Sequence, residues 1–253
     1  MRKDFHVVIP ARYDSARLPG KPLVDIAGVP MVLRVAANAR QSGAQSVVVA
    51  TDDDRVVQVC RAAGVDTLLT SDEHQSGSDR VHEVATRKNW AADEVVVNVQ
   101  GDEPLLHSRF IRQVGLALHE DDSVSVCTLR DPINNPADLQ DENIVKVATD
   151  RFDRALYFSR AAIPHTRSDS GYDRAAEQGN LGWRHVGLYA FRVDQLADFV
   201  ALPRSALEAQ EMLEQLRLLE DGVAIKVLAS DEPVPGGVDT PEDLQRVRSQ
   251  IDQ

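Results

Sequence analysis

The sequence predicts an α/β fold with an open, mostly parallel sheet and a smaller region of mixed or antiparallel strands. Three short β-branched runs indicate the parallel sheet: FHVVIP at 5–10, SVVVAT at 46–51 and EVVVNV at 94–99. None of them alternates cleanly between apolar and polar residues, which is typical of strands covered on both faces. Helical patterns lie between the runs, so the chain is expected to repeat a strand–helix–strand unit.

Local signals mark the helices of this first half. A helix is predicted from Pro30 to about Ser42, because proline is tolerated in the first turn of a helix. The segment 53–64 is predicted to be a second helix that ends at its last residue, a glycine. The segment 78–88 is predicted to be a third.

The pattern changes from about residue 123. Runs such as SVSVCTL and RHVGLYAFR alternate more, so antiparallel strands are expected there. The polar segment 165–183 is predicted to be a loop or lid, and helices are expected at 205–221 and 240–251. The last of these has an N-cap pattern, with Thr240 followed by Pro241 and Asp243.

Composition excludes several function classes. The chain has 253 residues, 43% of them hydrophobic, which predicts a single compact domain. A formal net charge of −12 argues against nucleic-acid and membrane-surface binding, since both partners need a broad basic face. No run is long enough for a signal peptide or a membrane span, which predicts a cytoplasmic protein. Cys60 and Cys127 lack metal or redox spacing, so we expect buried, reduced thiols.

A cluster of cations follows the first predicted strand. The stretch PARYDSARLPGKPL at 10–23 contains Arg12, Arg17 and Lys21 between two prolines. In an open parallel sheet, ligands bind at the carboxyl ends of the strands, so this stretch is placed to hold a polyphosphate. It is not a Walker A loop, because Lys21 is followed by Pro22. The alternative is a solvated turn with surface cations.

Two further stretches offer carboxylates at predicted strand or helix ends. NVQGDEP at 98–104 places Asp102 after an apolar strand, where it is a candidate Mg²⁺ ligand, and Glu103 is a candidate surface charge. PGGVDTPEDL at 235–244 places Asp239 in a glycine-containing turn, where it is either a second metal ligand or a helix cap. SDEHQSGSDR at 71–80 offers hydroxyls and an arginine at a helix start, which by itself is a weak anion signal.

These stretches together resemble the sugar nucleotidyltransferases, and more closely the 3-deoxy-manno-octulosonate (Kdo) cytidylyltransferases. The matching pieces are IPARYDSARLPGKPL, HQSGSDR, NVQGDEP, ALYFSRAAIP, RHVGLYAFR, EMLEQLR and GVDTPEDLQRVR. They span nearly the whole chain, although 165–183 matches poorly. The resemblance implies a Rossmann-like nucleotidyltransferase fold, with a nucleotide-binding part at 1–122 and 223–253 and a sugar-binding and dimerisation part at 123–222.

The resemblance also implies roles for individual residues. The predicted nucleotide-binding residues are Ala11, Arg12, Arg17, Lys21, Gln75, Ser76, Gly77, Arg80 and Gln100. The predicted catalytic residues are Arg12, Lys21, Asp102 and Asp239, of which the two aspartates would hold Mg²⁺. The predicted acidic-sugar residues are Arg160, His185, Tyr189, Glu214 and Gln215. Without the family, His185 and Tyr189 would be ordinary strand residues, and Glu214 and Gln215 would lie on a solvated helix face.

The resemblance implies a reaction in which the 2-hydroxyl of Kdo attacks the α-phosphate of CTP in line, giving CMP-Kdo and pyrophosphate. This step would activate Kdo for lipopolysaccharide synthesis, and a positive pocket would hold the two anionic substrates. Alternatives are an enzyme for sialic acid or for an 8-amino Kdo analogue, or a nucleotide-binding regulator without activity. Sialic-acid enzymes usually have Lys-Asn in the first loop, whereas here Pro22 follows the lysine. A homodimer is also expected.

Overall fold

The computed structural model describes residues 4–15, 17–165 and 181–251, and all structural statements below concern these residues. The chain divides into two compact units. Unit 1 comprises Met1–Glu120, Leu188–Val200 and Pro235–Gln253, and unit 2 comprises Asp121–Gly187 and Ala201–Val234. The predicted loop or lid at 165–183 lies almost entirely outside the described residues.

Strands and helices alternate along most of the chain. The strands are β1 (Phe5–Pro10), β2 (Asp25–Ile26), β3 (Val29–Pro30), β4 (Ser46–Thr51), β5 (Asp66–Leu69), β6 (Val95–Asn98), β7 (Val126–Ile133), β8 (Lys146–Thr149), β9 (Ala155–Ser159), β10 (Gly182–Arg192) and β11 (Ile225–Ala229). The helices are α1 (Met31–Gln41), α2 (Asp54–Ala62), α3 (Gly77–Arg87), α4 (Ser108–Ala117), α5 (Pro136–Gln140), α6 (Val193–Ala201), α7 (Ala206–Glu211), α8 (Gln215–Glu220) and α9 (Pro241–Ile251), with a 3₁₀ turn at Lys21–Leu23. Within the described ranges, none of these helices has the length and apolar character that crossing a membrane requires.

Unit 1 contains the predicted parallel sheet. Its parallel strands follow the order β6–β1–β4–β5, and the last residues of β10 pair antiparallel with β6. Nearly every residue of β1, β4 and β6 is buried, as expected for strands covered on both faces. Helices α1 to α4 pack on these strands. The mostly parallel α/β fold predicted from the sequence is confirmed.

The helix predictions in unit 1 are confirmed to within about two residues. The side chain of Asp53 caps α2 by accepting from Arg55 N–H at 2.8 Å. Ser76 caps α3 in a reciprocal pair with Asp79. The predicted cap of α9 is also present. The Thr240 hydroxyl accepts from Asp243 N–H at 3.2 Å, and the Asp243 carboxylate accepts from Thr240 N–H at 3.1 Å.

Unit 2 contains both antiparallel and parallel pairs. Strand β8 pairs antiparallel with β9 and with the first half of β10, as the alternating patterns predicted. Strand β7 lies beside β10 in the sheet and, on its other side, pairs in parallel with β11 from Ile225 opposite Val126 onward, which the alternating pattern did not predict. A parallel partner must come from a distant part of the chain, so the local alternation of β7 carried no information about it. Strand β11 lies in the sequence range grouped with the nucleotide-binding part, but both β11 and its partner β7 belong to unit 2.

The helix predicted at 205–221 is two short helices, α7 and α8. Met212 ends α7 in the left-handed region at φ 53°, which breaks the helical path. The two helices are held together by Arg217, which donates to both carboxylate oxygens of Glu208 at 2.7 and 2.8 Å. Burial raises the pKa of Glu208, but the hydrogen bonds and charge of Arg217 outweigh it and the net pKa is lowered. The apolar periodicity continues across the break, so the sequence did not reveal it.

The two cysteines behave as predicted. Both Cys60 and Cys127 are buried and neither forms a disulfide. Burial raises the pKa of the Cys127 thiol to about 12 and also raises that of Cys60, so both stay protonated at neutral pH. They are core residues rather than nucleophiles.

Candidate active site

A cavity of about 270 Å³ lies at the carboxyl ends of β1 and β6 and at the start of α3, in unit 1. It is lined by the loop that follows β1, by the start of α3 and by the turn that follows β6. Of the predicted nucleotide-binding residues, those that line it are Ala11, Arg12, Lys21, Gln75, Ser76, Gly77, Arg80 and Gln100. Arg17 is not among the lining residues; its guanidinium lies 3.3 Å from Asp239 and its side chain is exposed. The carboxyl-end position agrees with the general rule for open α/β sheets.

The turn after β6 packs tightly against the end of β1. A Cβ atom at Gly101 would lie only 2.6 Å from the carbonyl oxygen of Pro10. Only glycine permits this approach, and the approach places Gln100 and Asp102 on the cavity wall. The glycine of the NVQGDEP stretch therefore has a packing role.

Asp102 and Asp239, which are distant in sequence, meet at one ammonium group. Lys21 Nζ donates to Asp102 Oδ2 at 2.5 Å and to Asp239 Oδ1 at 2.8 Å. The Lys21 side chain is 13% exposed, whereas those of Asp102 and Asp239 are 32% and 52% exposed. The pair of carboxylates thus opens to solvent on one side and faces a buried cation on the other.

A backbone contact brings Asp239 to this position. Val238 N–H donates to the carbonyl oxygen of Asp102 at 2.9 Å. The Val238 side chain is fully buried in an apolar cluster with Ile26, Met31, Leu244 and Val247. A Cβ atom at the neighbouring Gly237 would lie 3.1 Å from the Asp102 carbonyl oxygen and 2.9 Å from Glu103 Oε1, so a larger residue would push the two turns apart.

Lys21 is held as a cation by its two partners. Burial lowers the pKa of Lys21, but the charge and hydrogen bonds of Asp102 and Asp239 outweigh burial, and the net pKa lies above its ordinary value. Lys21 is therefore fully charged at neutral pH. Two carboxylates share its single positive charge, and the exposed Arg17 guanidinium, 3.3 Å from Asp239, adds a second positive charge.

Each cation at the predicted positive pocket lies close to a carboxylate. Arg80 donates to Asp52 Oδ2 at 2.9 Å, and Arg12 Nε lies 3.8 Å from the same oxygen. Lys21 is paired with two aspartates and Arg17 with one. The sequence shows the cations close together, but their carboxylate partners come from distant segments that only the fold brings near.

The two aspartates suit a magnesium ion that completes its coordination with substrate oxygens. No group of three or more His, Cys, Asp or Glu side chains able to hold a metal occurs in the part of the chain that the structure describes. Mg²⁺ is commonly bound by one or two carboxylates together with phosphate oxygens and water, so two carboxylates suffice. Their oxygens already converge on one positive centre, the Lys21 ammonium, which stands in for a cation. Asp102 and Asp239 therefore fit the ion.

Comparison with known proteins identifies the family. The family model described as "Cytidylyltransferase" matches residues 6–225. The chain belongs to the cytidylyltransferase family. It is a nucleotidyltransferase, and the resemblance found in its sequence is confirmed.

Several curated relatives cover almost the whole of this cytidylyltransferase, and each is named 3-deoxy-manno-octulosonate cytidylyltransferase. The protein from Pseudomonas syringae pv. tomato is 51% identical over 249 residues, which is 98% of each chain. The protein from Acinetobacter baumannii (strain SDF) is 46% identical over 245 residues, which is 96% of each. The protein from Cellvibrio japonicus is 48% identical over 250 residues, which is 98% of each.

Solved structures agree with these relatives. A CMP:2-keto-3-deoxy-manno-octonic acid synthetase solved in complex with CTP superimposes on this cytidylyltransferase with a TM-score of 0.90, at 40% identity over 99% of both chains. A cytidylyltransferase from Leptospira borgpetersenii gives a TM-score of 0.62 at 17% identity, covering 99% of this chain and 87% of the other, and shows the shared fold only.

The acidic-sugar residues predicted for this cytidylyltransferase lie in both units. Arg160, His185, Glu214 and Gln215 belong to unit 2, and Tyr189 belongs to unit 1. Tyr189 is buried in β10 and stacks on Phe191 with ring centroids 5.7 Å apart.

Glu211 is a unit 2 residue that sequence reasoning missed. Its carboxylate accepts from Arg160 N–H at 2.9 Å and from the Ser159 hydroxyl at 2.7 Å. Its backbone carbonyl accepts from Arg160 Nε at 2.8 Å. Glu211 lies at the start of the quoted EMLEQLR stretch, three residues before Glu214, so the motif itself contained the signal.

Glu214, the N-cap of α8, and Gln215, its first residue, differ in exposure. Gln215 is only 6% exposed and Glu214 is half-buried. The alternative in which both lie on a solvated helix face is therefore wrong for Gln215. A buried amide must be hydrogen-bonded or face a ligand, so its burial agrees with a polar role.

His185 offers a hydrogen bond rather than a charge. Its Nε2 lies 3.0 Å from the Thr128 hydroxyl, and its ring meets the edge of Phe158 at a centroid distance of 4.9 Å. Burial, and secondarily the charge of Arg184, lowers the pKa of His185 to about 3. His185 is neutral at physiological pH and cannot supply a positive charge to an acidic sugar.

The His185 environment predicts a pH dependence of stability. The folded protein binds a proton at His185 only near pH 3, whereas the unfolded chain binds it near the ordinary value of 6.5. Stability is therefore lost as the pH falls from about 6.5 towards 3, by roughly 1 kcal/mol per pH unit. We expect the free energy of unfolding, measured with urea at each pH, to change less steeply with pH between pH 5 and 7 in His185→Gln than in the unmodified protein. Equal slopes would contradict a neutral His185 in the folded protein.

Proposed function

We propose that the protein transfers the cytidylyl group of CTP to Kdo, releasing pyrophosphate and forming CMP-Kdo, which activates the sugar for lipopolysaccharide synthesis. The main structural support for the site of this reaction is that Asp102 and Asp239 both contact Lys21 beside the unit 1 cavity. The near full-length relatives named 3-deoxy-manno-octulosonate cytidylyltransferase support the choice of sugar. The related structure solved with CTP supports the choice of nucleotide.

The chain's own residues bind and orient the nucleotide. Arg12, Lys21 and Arg80 are the lysine and arginine side chains that line the cavity, and Gln75, Ser76, Gly77 and Gln100 line it with them. Charge-assisted hydrogen bonds from these cations would offset the negative charge that gathers on the departing pyrophosphate. Alignment of the sugar hydroxyl with the α-phosphate contributes on the order of 7–11 kcal/mol to lowering the barrier in well-oriented reactions.

Asp102 and Asp239 would hold Mg²⁺ in this reaction. The ion would lower the pKa of the attacking 2-hydroxyl and offset charge on the phosphates. Lys21 already contacts both carboxylates, so its ammonium must be released from them before it can turn to a phosphate. If Mg²⁺ takes the place of the Lys21 ammonium, a positive charge stays between the two carboxylates and limits their repulsion.

Two sequence predictions accompany this function and stay predictions: a cytoplasmic location and a homodimer formed through the second half of the chain. A cytidylyltransferase for an 8-amino Kdo analogue or for sialic acid remains the competing function, since one exocyclic group can be distinguished by a few side chains. A non-catalytic regulator is disfavoured, because both aspartates and the loop lysine are present and in contact.

The direct test measures pyrophosphate release with CTP and Mg²⁺. We expect release with Kdo at a kcat/KM at least about 100-fold above that with sialic acid, since a site built for one sugar leaves polar groups unpaired with another. ATP, GTP and UTP in place of CTP serve as controls. Preference for sialic acid or for the 8-amino sugar would support the competing enzyme function. Absence of pyrophosphate release with every sugar would support the non-catalytic regulator.

A further inference from the structure

Asp52 lies behind the nucleotide cavity and does not line it. It directly follows β4, and its side chain is only 11% exposed. Oδ1 accepts from the backbone N–H of Tyr13, in the loop after β1, at 3.2 Å. Oδ2 accepts from Arg80 Nη2, on α3, at 2.9 Å. One carboxylate therefore ties together two chain segments that form separate walls of the cavity.

Arg80 depends on this carboxylate. Its side chain is 3% exposed, and its Nη1 donates to the Thr70 hydroxyl at 2.5 Å and to the Ser71 carbonyl oxygen at 3.2 Å. Those two acceptors are neutral, and Asp52 supplies the negative charge that a buried guanidinium needs. The position of Arg80 on the cavity wall is thus set largely by Asp52.

Asp52 also contacts the loop after β1, which lines another part of the cavity. The loop that Asp52 holds through Tyr13 N–H carries Arg12, Asp14 and Ser15 into the cavity lining. Arg12 is 59% exposed and its Nε lies 3.8 Å from Asp52 Oδ2, so the carboxylate that pairs with Arg80 also attracts Arg12. A single acidic side chain therefore lies between Arg12 and Arg80 and attracts both.

Resting on the proposed function, we propose that Asp52 is a positioning residue that sets the spacing of Arg12 and Arg80 for the nucleotide. Two effects of removing its charge oppose each other. Electrostatics alone would strengthen binding of an anion, because a nearby negative charge disappears. Loss of positioning would weaken binding, because both cations lose their fixed geometry. The sign of the change in affinity for CTP separates the two.

The experiment compares Asp52→Asn with the unmodified protein. An asparagine keeps the shape but offers one acceptor oxygen to two donors, Tyr13 N–H and Arg80 Nη2. We expect the Kd for CTP, measured by titration calorimetry, and the KM for CTP to rise about tenfold, with the KM for the sugar unchanged. Asp66→Asn is the matched control, because Asp66 pairs with Lys88 at the amino end of β5, away from the cavity.

A second variant, Asp52→Glu, tests the same role in case Asp52→Asn does not fold. Asp52→Glu keeps the counter-charge of Arg80 but adds one methylene group between the two walls, so it should fold and still raise the Kd for CTP several-fold. An unchanged or lowered Kd in a folded Asp52 variant would overturn the positioning role. CTP binding is measured without sugar, so failure of the unmodified protein to turn over Kdo would count against the proposed function and not against this role.

Discussion

Replacement of Asp102 by asparagine is expected to leave a folded protein that has lost its turnover. Asp102 supplies one of only two carboxylates at the proposed magnesium site, and an amide is a much weaker ligand for a hard cation. We expect kcat for pyrophosphate release to fall on the order of 10³-fold, the scale seen when a directly stabilising group is removed from a reacting centre. Asp239→Asn should behave in the same way.

The fold should tolerate both changes. Asp102 and Asp239 are partly exposed, and Lys21 keeps one carboxylate partner in each variant. We expect the free energy of unfolding to change by about 1 kcal/mol or less, as for solvent-accessible ion pairs. Glu242→Gln is the matched control, because it removes one exposed carboxylate three residues from Asp239 and should keep its turnover. Wild-type turnover in either aspartate variant would falsify the metal assignment.

Replacement of Lys21 by methionine is expected to lower activity and, at the same time, to create metal binding in the absence of nucleotide. The ammonium of Lys21 occupies the point on which Asp102 and Asp239 converge. Methionine retains much of the stem's volume and removes the ammonium charge, so the two carboxylates repel each other and, among the described residues, only the exposed Arg17, 3.3 Å from Asp239, is left to offset them. A divalent cation relieves that repulsion. We expect Mn²⁺, followed by its electron paramagnetic resonance signal, to bind the variant at least about tenfold more tightly than the unmodified protein.

The loss of activity in Lys21→Met has a separate cause. A cation that contacts the phosphates is absent, so kcat should fall on the order of 10²- to 10³-fold. Lys21→Arg is the control for metal binding, because it keeps a positive charge near the carboxylates and should not gain Mn²⁺ affinity. If Lys21→Met binds Mn²⁺ no better than the unmodified protein, the ammonium does not compete with the ion.

Local patterns predicted the elements of unit 1 well. The β-branched runs at 5–10, 46–51 and 94–99 are buried strands, and the cap residues around α3 and α9 form the expected hydrogen bonds. These features depend on neighbours within a few residues, which is the range over which sequence patterns carry information. The glycine-containing turn offered Asp239 either as a second metal ligand or as a helix cap, and the resemblance chose the metal ligand, because no local pattern links residues so far apart.

Long-range features escaped local reasoning. The parallel pairing of β7 with β11 and the break at Met212 depend on partners or backbone states that the surrounding residues do not specify. The same holds for Asp52, whose two acceptor atoms meet donors 39 and 28 residues away in the chain. The sequence showed only an acidic residue after a strand.

The sequence by itself determined the parallel α/β class, the positions of most unit 1 elements and the family, because hydrophobic periodicity and short motifs are local properties. Tertiary structure alone decided which charges neutralise one another. Lys21 faces Asp102 and Asp239, and Arg80 faces Asp52, because the strand ends of one sheet bring these distant segments to a common edge. Coulomb energy depends on distance in space rather than along the chain, so the balance of charge at the site followed from the fold.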